Sequence, residues 1–509
     1  MMDINVEKQN LSSCRVIREA KAEQSVDCDI TLPDYCCDIK SVLCCEVEPG
    51  ITAVDITGNR ITAVGNATVK LIYVGDDDRI SCFEQTCPIN KYVEMSSLPE
   101  DSTMLVTAKT SYVNCRAVSP RRIDVHGCIA IVFSALCCET AQVVSSASAQ
   151  GLQLKQQPVQ TCNSLDCTSK IFQMSEVIPL PEGVQSAKSI LRAHALPVIT
   201  QTKNVSNKTL IKGDLQLAVT LCSQDGEVVK TEHTMPISQI AELQGLDENS
   251  LCDVRLTVSS LDVQLKPDES GEMRRIDVAA CICAVVRGYS KVSAVLLSDA
   301  FSTVYELELK KDSVCEEGLA AVLDETFVNS AELDFSGAAV GRVLDAWCTD
   351  VTCVNSFSDS QLDLSGAVTV CVLYLDTENK PCFARRRVDY RHKTDINADT
   401  PDINYEPNIC VSGVAVSGKG NQLNARIQFN ASGCVFTRKN HLAVTDITQS
   451  GEKSRDNISA ITVYFADKGE KLWDIAKHFG TSVDAVCRRN SLSGDAVHDD
   501  TMLIIPRSC

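Results

Sequence analysis

The segment Leu32–Ile89 can be laid over Leu180–Ile237 at a constant offset of 148 residues without a gap. Leu32-Pro33 falls on Leu180-Pro181, Lys40-Ser41 on Lys188-Ser189, Gly65 on Gly213 and Pro88-Ile89 on Pro236-Ile237. A constant offset is the signature of one structural unit used repeatedly. The string RRIDV also occurs twice, at Arg121–Val125 and Arg274–Val278. Its offset of 153 predicts five extra residues in the second copy, in the loop containing Pro267–Gly271. A fainter third copy places Leu333, Val343-Leu344 and Gly366 at 153 beyond Leu180, Ile190-Leu191 and Gly213.

One strand pattern recurs in all three copies. Ala67, Val69, Leu71 and Tyr73 recur at every second position, as do Leu215, Leu217, Val219 and Leu221, and Val368, Val370, Val372 and Tyr374. Period two places these side chains on one face of a half-buried strand. The glycine two residues before each run predicts a bulge or a close backbone approach. Gly75–Asp78, Ser223–Gly226 and Asp376–Asn379 are turn-forming strings, so each strand should lead into a hairpin. The expected class is a mainly β multidomain protein: repeats over 10–145, 165–298 and 318–440, a polar linker over 445–458, and a last module over 459–507.

That last module is patterned differently. A strand is expected over Ile461–Tyr464. Leu472, Ile475, Ala476 and Phe479 then share a helix face, closed by Gly480. Thr481–Asp484 reads as a cap for a second helix bearing Val483, Val486, Cys487 and Asn490, and Leu503–Ile505 as a closing strand. The order is β-α-α-β.

Composition excludes several functions. Lys and Arg number 48 against 67 Asp and Glu, a formal net charge of -19, which disfavours nucleic acid or an anionic membrane as main partner. No apolar stretch of the length needed to span a bilayer occurs, and no secretory leader is visible. With 27 cysteines in a chain of 509 residues, the expectation is reduced thiols inside a cell rather than a disulfide framework. No C-x-x-C occurs, and the pairs Cys36-Cys37, Cys44-Cys45 and Cys137-Cys138 should point to opposite strand faces, so cysteine reads as a small apolar filler. The seven histidines form no HExxH and accompany no nucleophile motif, no phosphate loop occurs, and each histidine reads as a surface or packed residue. No enzyme, cofactor or metal is expected. Arg385-Arg386-Arg387 reads as a solvated face.

The opening Leu32-Pro33-Asp34 to Asp38–Leu43 and the later Val64-Gly65 to Leu71–Val74 resemble the SPOCS module of clostridial spore-coat proteins. The strings GEKLWDIAKHFGTS, NSL and LIIP resemble a LysM domain, a fold that usually binds N-acetylglucosamine-containing glycans such as peptidoglycan or chitin. The resemblance implies a groove formed by Gly469, Glu470, Lys471 and Leu472 with Ser491, Leu492 and Ser493. Glu470 and Lys471 replace the family's short acid and hydroxyl, and Asp500 replaces a glycine. Trp473 is expected to pack into or beside the small core. The combination is similar to spore-envelope proteins that assemble the coat from the mother-cell cytoplasm at the forespore surface. It implies a scaffold whose partner is a SpoIVA-like coat-basement ATPase. The alternative is a cell-wall protein whose LysM module binds glycan.

Overall fold

The alternating runs become the central strands of three copies of one strand order. In this computed structural model, residues 4–99, 102–184, 186–334, 337–398, 400, 402–453 and 462–506 are described. The first copy is β1 (Asn5–Thr31), β2 (Ile39–Thr57), β3 (Arg60–Gly75), β4 (Ile80–Glu94), β5 (Thr103–Ser119) and β6 (Arg122–Ser148). The second is β7 (Leu152–Pro179), β8 (Ala187–Val205), β9 (Lys208–Ser223), β10 (Val228–Glu242), β11 (Leu251–Pro267) and β12 (Met273–Ser302). The third is β13 (Tyr305–Asp334), β14 (Val340–Ser358), β15 (Gln361–Asp376), β16 (Pro381–Asp395), β17 (Ile403–Asn404), β18 (Asn408–Lys419) and β19 (Gln422–Glu452). There, the fifth strand is split in two, both pieces pairing with β19.

Each copy folds its strands into two antiparallel sheets. In the first they run β1-β6-β5 and β2-β3-β4. Ile30, Ile61, Val69, Leu71, Ile123 and Phe133, each at most 1% exposed, fill the space between them. Gly65 lies opposite Ile51 and Ile89, Gly213 opposite Ile199 and Ile237, and Gly366 opposite Cys353 and Tyr390. A Cβ there would stand 1.9, 2.3 and 1.9 Å from the carbonyl oxygens of Gly50, Val198 and Thr352. The partner strand bulges beside each glycine, which fixes its identity. The extra length of the second copy is the turn between β11 and β12, as expected.

Three expectations need correction. Leu333 pairs with Leu423 as Ile178 pairs with Ile276, so it is equivalent to Ile178 and not to Leu180. The outer strands run beyond the expected repeat boundaries, from Asn5 to Ser148, Leu152 to Ser302 and Tyr305 to Glu452. The linker expected over 445–458 is strand as far as Glu452: Ile447 pairs with Leu309 and is buried. Its polar sequence hides this because the ladder shifts register there, breaking the alternation. Residues 454–458 lie outside the described residues.

These overruns build a shared hub. The pairs β1/β6, β7/β12 and β13/β19 skip the equivalent residues Ile17, Leu165 and Ala320, then continue as two-stranded ribbons. Leu11 and Val143 of the first ribbon, Val159 and Leu296 of the second, and Val314 and Ala443 of the third form one apolar cluster. Val144, Leu297 and Val444 make the next layer. A second cluster joins the β2–β4, β8–β10 and β14–β16 sheets through Cys44, Ile72, Leu191, Cys222, Trp347 and Cys371. A lone ribbon could not hide both faces from water, so each copy completes its burial on the other two.

The C-terminal module contains β20 (Thr462–Ala466), α1 (Leu472–Phe479), α2 (Val483–Asn490) and β21 (Thr501–Ile505), with β20 antiparallel to β21. Ile461, the expected first strand residue, lies outside the described residues. Gly480 ends α1 in the left-handed region at φ 61°, and the Ser482 side chain caps α2 by accepting from the Ala485 N–H. Leu472, Ile475, Ala476, Val486, Leu503 and Ile505 form its core.

Candidate functional site

The two loops expected to form the LysM groove lie side by side. The Gly469 N–H donates to the Val497 carbonyl at 2.8 Å, the Val497 N–H to the Glu470 carbonyl at 2.9 Å, and the Leu472 N–H to the Asp495 carbonyl at 3.0 Å. Lys471 and Ala496 form an antiparallel bridge. Gly469 has φ 88°, with open space where a Cβ would stand. Lys471 precedes α1 with its side chain exposed. Ser491 ends α2 in the left-handed region at φ 51°, and Ser493 is exposed.

The remaining candidates are engaged inside the module. Leu472 is fully buried and belongs to the core, so its assignment to the groove is corrected: it is the first residue on the apolar face of α1. Leu492 packs against the same core. Glu470 accepts the Tyr464 hydroxyl at 2.8 Å, holding that hydroxyl's pKa above its ordinary value. Asp500 accepts the Lys468 N–H at 2.8 Å. The two acids that depart from the family pattern thus brace the loop entering α1.

Trp473 does something the sequence did not disclose. Its ring meets Phe301 of β12 edge-on, with centroids 5.0 Å apart, and its indole N–H donates to Asp299 Oδ2 at 2.9 Å. Lys477 of α1 and Lys311 of β13 also reach Asp299, at 2.6 and 3.2 Å. Burial would raise the Asp299 carboxyl, but donors from Lys477, Trp473 and Lys311 together outweigh it and hold the pKa below the ordinary range. Phe301 belongs to the LysM core cluster. The module is therefore seated on the second ribbon, and Lys311 of the third shares the carboxylate that anchors it.

The other singled-out residues serve the packing. Cys44 faces the junction of the three copies while its neighbour Cys45 faces the core of the first, as strand alternation requires. None of the 26 described cysteines is in a disulfide. Burial pushes the Cys371 thiol up to about 11. His126, His233, His392 and His441 each meet one carboxylate, of Asp27, Glu176, Glu325 and Glu316 respectively. The Arg385–Arg387 string is not one solvated face. Arg385 reaches across to Glu46 and the Cys45 carbonyl of the first copy, Arg386 donates to the Asp334 carbonyl, and only Arg387 stays outside, near Asp389. Cys37, Asp76 and Asp77 approach one another at an exposed turn, where Lys188 lies 3.7 Å from Asp77. Among the described residues no helix is long and apolar enough to cross a membrane.

Comparison with known families agrees with this architecture. A family model described as the SipL, SPOCS domain matches residues 38–118 and again 186–266, spanning β2–β5 and β8–β11. A model described as the LysM domain matches residues 467–506. No curated protein and no solved structure matches the chain. The chain is a multidomain β protein in which non-catalytic binding domains, SPOCS repeats, precede a LysM module of glycan-binding type. Its first two copies match the SPOCS domain of SipL and its last module the LysM domain, so the chain is SipL-like in its domains, which supports a sporulation-related protein.

Proposed function

We propose that the chain is a non-enzymatic scaffold and adaptor of spore-envelope assembly, working in the mother-cell cytoplasm at the forespore surface. Its LysM module acts as the recognition domain and docks a SpoIVA-like coat-basement ATPase. One observation carries this reading: the LysM module is fixed to the ribbons through Trp473, Phe301 and Asp299. A recognition module held in one orientation by a rigid body presents its free surface to a partner at little ordering cost.

A fluorescent fusion in sporulating cells tests the location, and a ring around the forespore is expected. Co-purification of the ATPase with the full chain, and its loss when residues 462–506 are removed, tests the partner. Label in the vegetative wall would reject the scaffold in favour of the glycan-binding wall protein.

A further inference from the structure

A cleft of about 390 Å³ opens between the second and third copies. Arg192, His194, Lys230 and His233 line it from the second copy together with one acid, Glu232, and Trp347 and Ser412 line it from the third. Such a concentration of cationic and imidazole side chains stands out in a chain of net charge -19. Two of them are already matched: Lys230 lies 3.4 Å from Glu232, and His233 meets Glu176 at 3.1 Å. Arg192 is not. Among the described residues it has no ion-pair partner, and its Nε is buried without a hydrogen bond. Its guanidinium carbon lies 4.8 Å from the Trp347 ring centroid.

The repeat explains what is missing. Glu46 and Glu84 flank Lys70 on β3, His194 and Glu232 flank Ala218 on β9, and Trp347 and Arg385 flank Cys371 on β15. Where the third copy meets the first, Arg385 is answered by Glu46, which also accepts the Trp347 indole N–H. Where the second copy meets the third, through β10 and β14, Glu232 stands in the place of Arg385 and Trp347 in the place of Glu46, so the acid of the neighbouring junction is replaced here by an indole ring. Asp345, the third-copy equivalent of Arg192, is occupied by the Thr220 hydroxyl and the Ala346 N–H. His194 is exposed at the mouth of this cleft, and local desolvation with the nearby cations Arg192, Lys70 and Lys230 pushes its ring down to about 4, against the opposing pull of Glu48.

We propose that this cleft binds a small, multiply charged oxyanion, a phosphate or carboxylate group seated against Arg192 with His194 and Lys230 alongside. A guanidinium presents paired donors that match either group, and partial burial strengthens the contact relative to open water. The anion would supply from outside the counter-charge that Arg192 lacks among the described residues.

Calorimetric titration of the full chain with pyrophosphate and with citrate, against chloride at matched ionic strength, tests this. Saturable one-to-one binding of at least one is expected, weakened tenfold or more in Arg192→Gln and unchanged in Arg391→Gln, whose side chain pairs with Asp363 elsewhere. A response to pyrophosphate alone assigns a phosphate, and a response to citrate alone a carboxylate. Should Arg192→Gln fail to fold, Lys230→Gln must weaken binding severalfold, and the His194 ring resonances of the unmodified chain must shift on saturation. Absence of saturable binding by both anions, or full affinity in the folded variants, overturns the proposal.

Discussion

The indole N–H of Trp473 donates to Asp299 across 174 positions of sequence, joining the LysM helix to a β ribbon. Asp299→Ala removes the acceptor that Lys477 and Lys311 share with Trp473 and leaves two ammonium groups facing each other. Hydrogen bonds to a charged group contribute about 1.5–3 kcal/mol each. The variant should release α1, seen as faster amide exchange across residues 472–490 with the repeats unaffected. Asp299 is held below its unfolded pKa, so its contribution is present above the unfolded value and is lost as pH falls through the depressed folded one. Protection of α1 that disappears at pH 5–6 would contradict this.

The hub makes a different prediction. Leu296 is 2% exposed, in a cluster drawn from all three ribbons. Leu296→Ala should cost about 2–5 kcal/mol. Because the cavity is shared, denaturant unfolding should shift for all three copies together. Val322→Ala, at a side chain 59% exposed, should change stability by no more than about 0.5 kcal/mol. A shift confined to the second copy would show that the ribbons are not coupled.

What could be read from the sequence divides along physical lines. Ala67–Tyr73 and Leu215–Leu221 declare themselves because one sheet face is buried along its whole length while the other is buried only toward the strand end that meets the next copy, which writes period two into the chain. The LysM helices are legible for the same reason at helical spacing. The hub was hidden: Leu11, Val159 and Val314 lie far apart, and the skipped residues Ile17, Leu165 and Ala320 break the alternation that would have marked their strands. Arg385 was misread because its partner Glu46 is 339 positions away. In the groove, Leu472 carried two patterns, a family loop position and an apolar helix position, and burial decided for the second.

Gly213 tests the repeat directly. A Cβ there would stand 2.3 Å from the Val198 carbonyl oxygen, a backbone atom that cannot swing aside. Gly213→Ala should destabilise the second copy by about 1–3 kcal/mol or more, and Gly65→Ala should do the same to the first. Gly451→Ala, whose added Cβ meets nothing closer than 3.9 Å, should be tolerated. Thermal unfolding of the three variants decides the matter, and equal effects would defeat the argument.

His194 sets an acid limit. Its folded pKa is pushed down to about 4, from an unfolded value near 6.5. Between those values the unfolded chain binds the extra proton, so stability falls as pH drops from about 6.5 to about 4 and levels below that, with a slope reduced by the solvent that reaches this exposed residue. His194→Gln should flatten part of that slope in pH-dependent denaturation. An unchanged slope would show that the ring is freely hydrated.

The final prediction concerns the LysM loops in the full chain. Glu470 and Asp500 already hold Tyr464 and Lys468, and Leu472 is buried. Gly469, Lys471, Ser491 and Ser493 therefore remain for an outside ligand. One edge of the Trp473 environment is filled by Phe301, which restricts the aromatic surface open to a sugar ring. A protein partner needs less from these positions, because long and apolar side chains at the rim suffice for complementarity. Titration with N-acetylglucosamine oligomers should therefore give weak, non-saturating binding, unchanged by Lys471→Ala. The same substitution should weaken capture of the coat-basement ATPase. Saturable micromolar binding of the oligomers, with chemical-shift changes centred on 469–472, would make the module a glycan receptor instead.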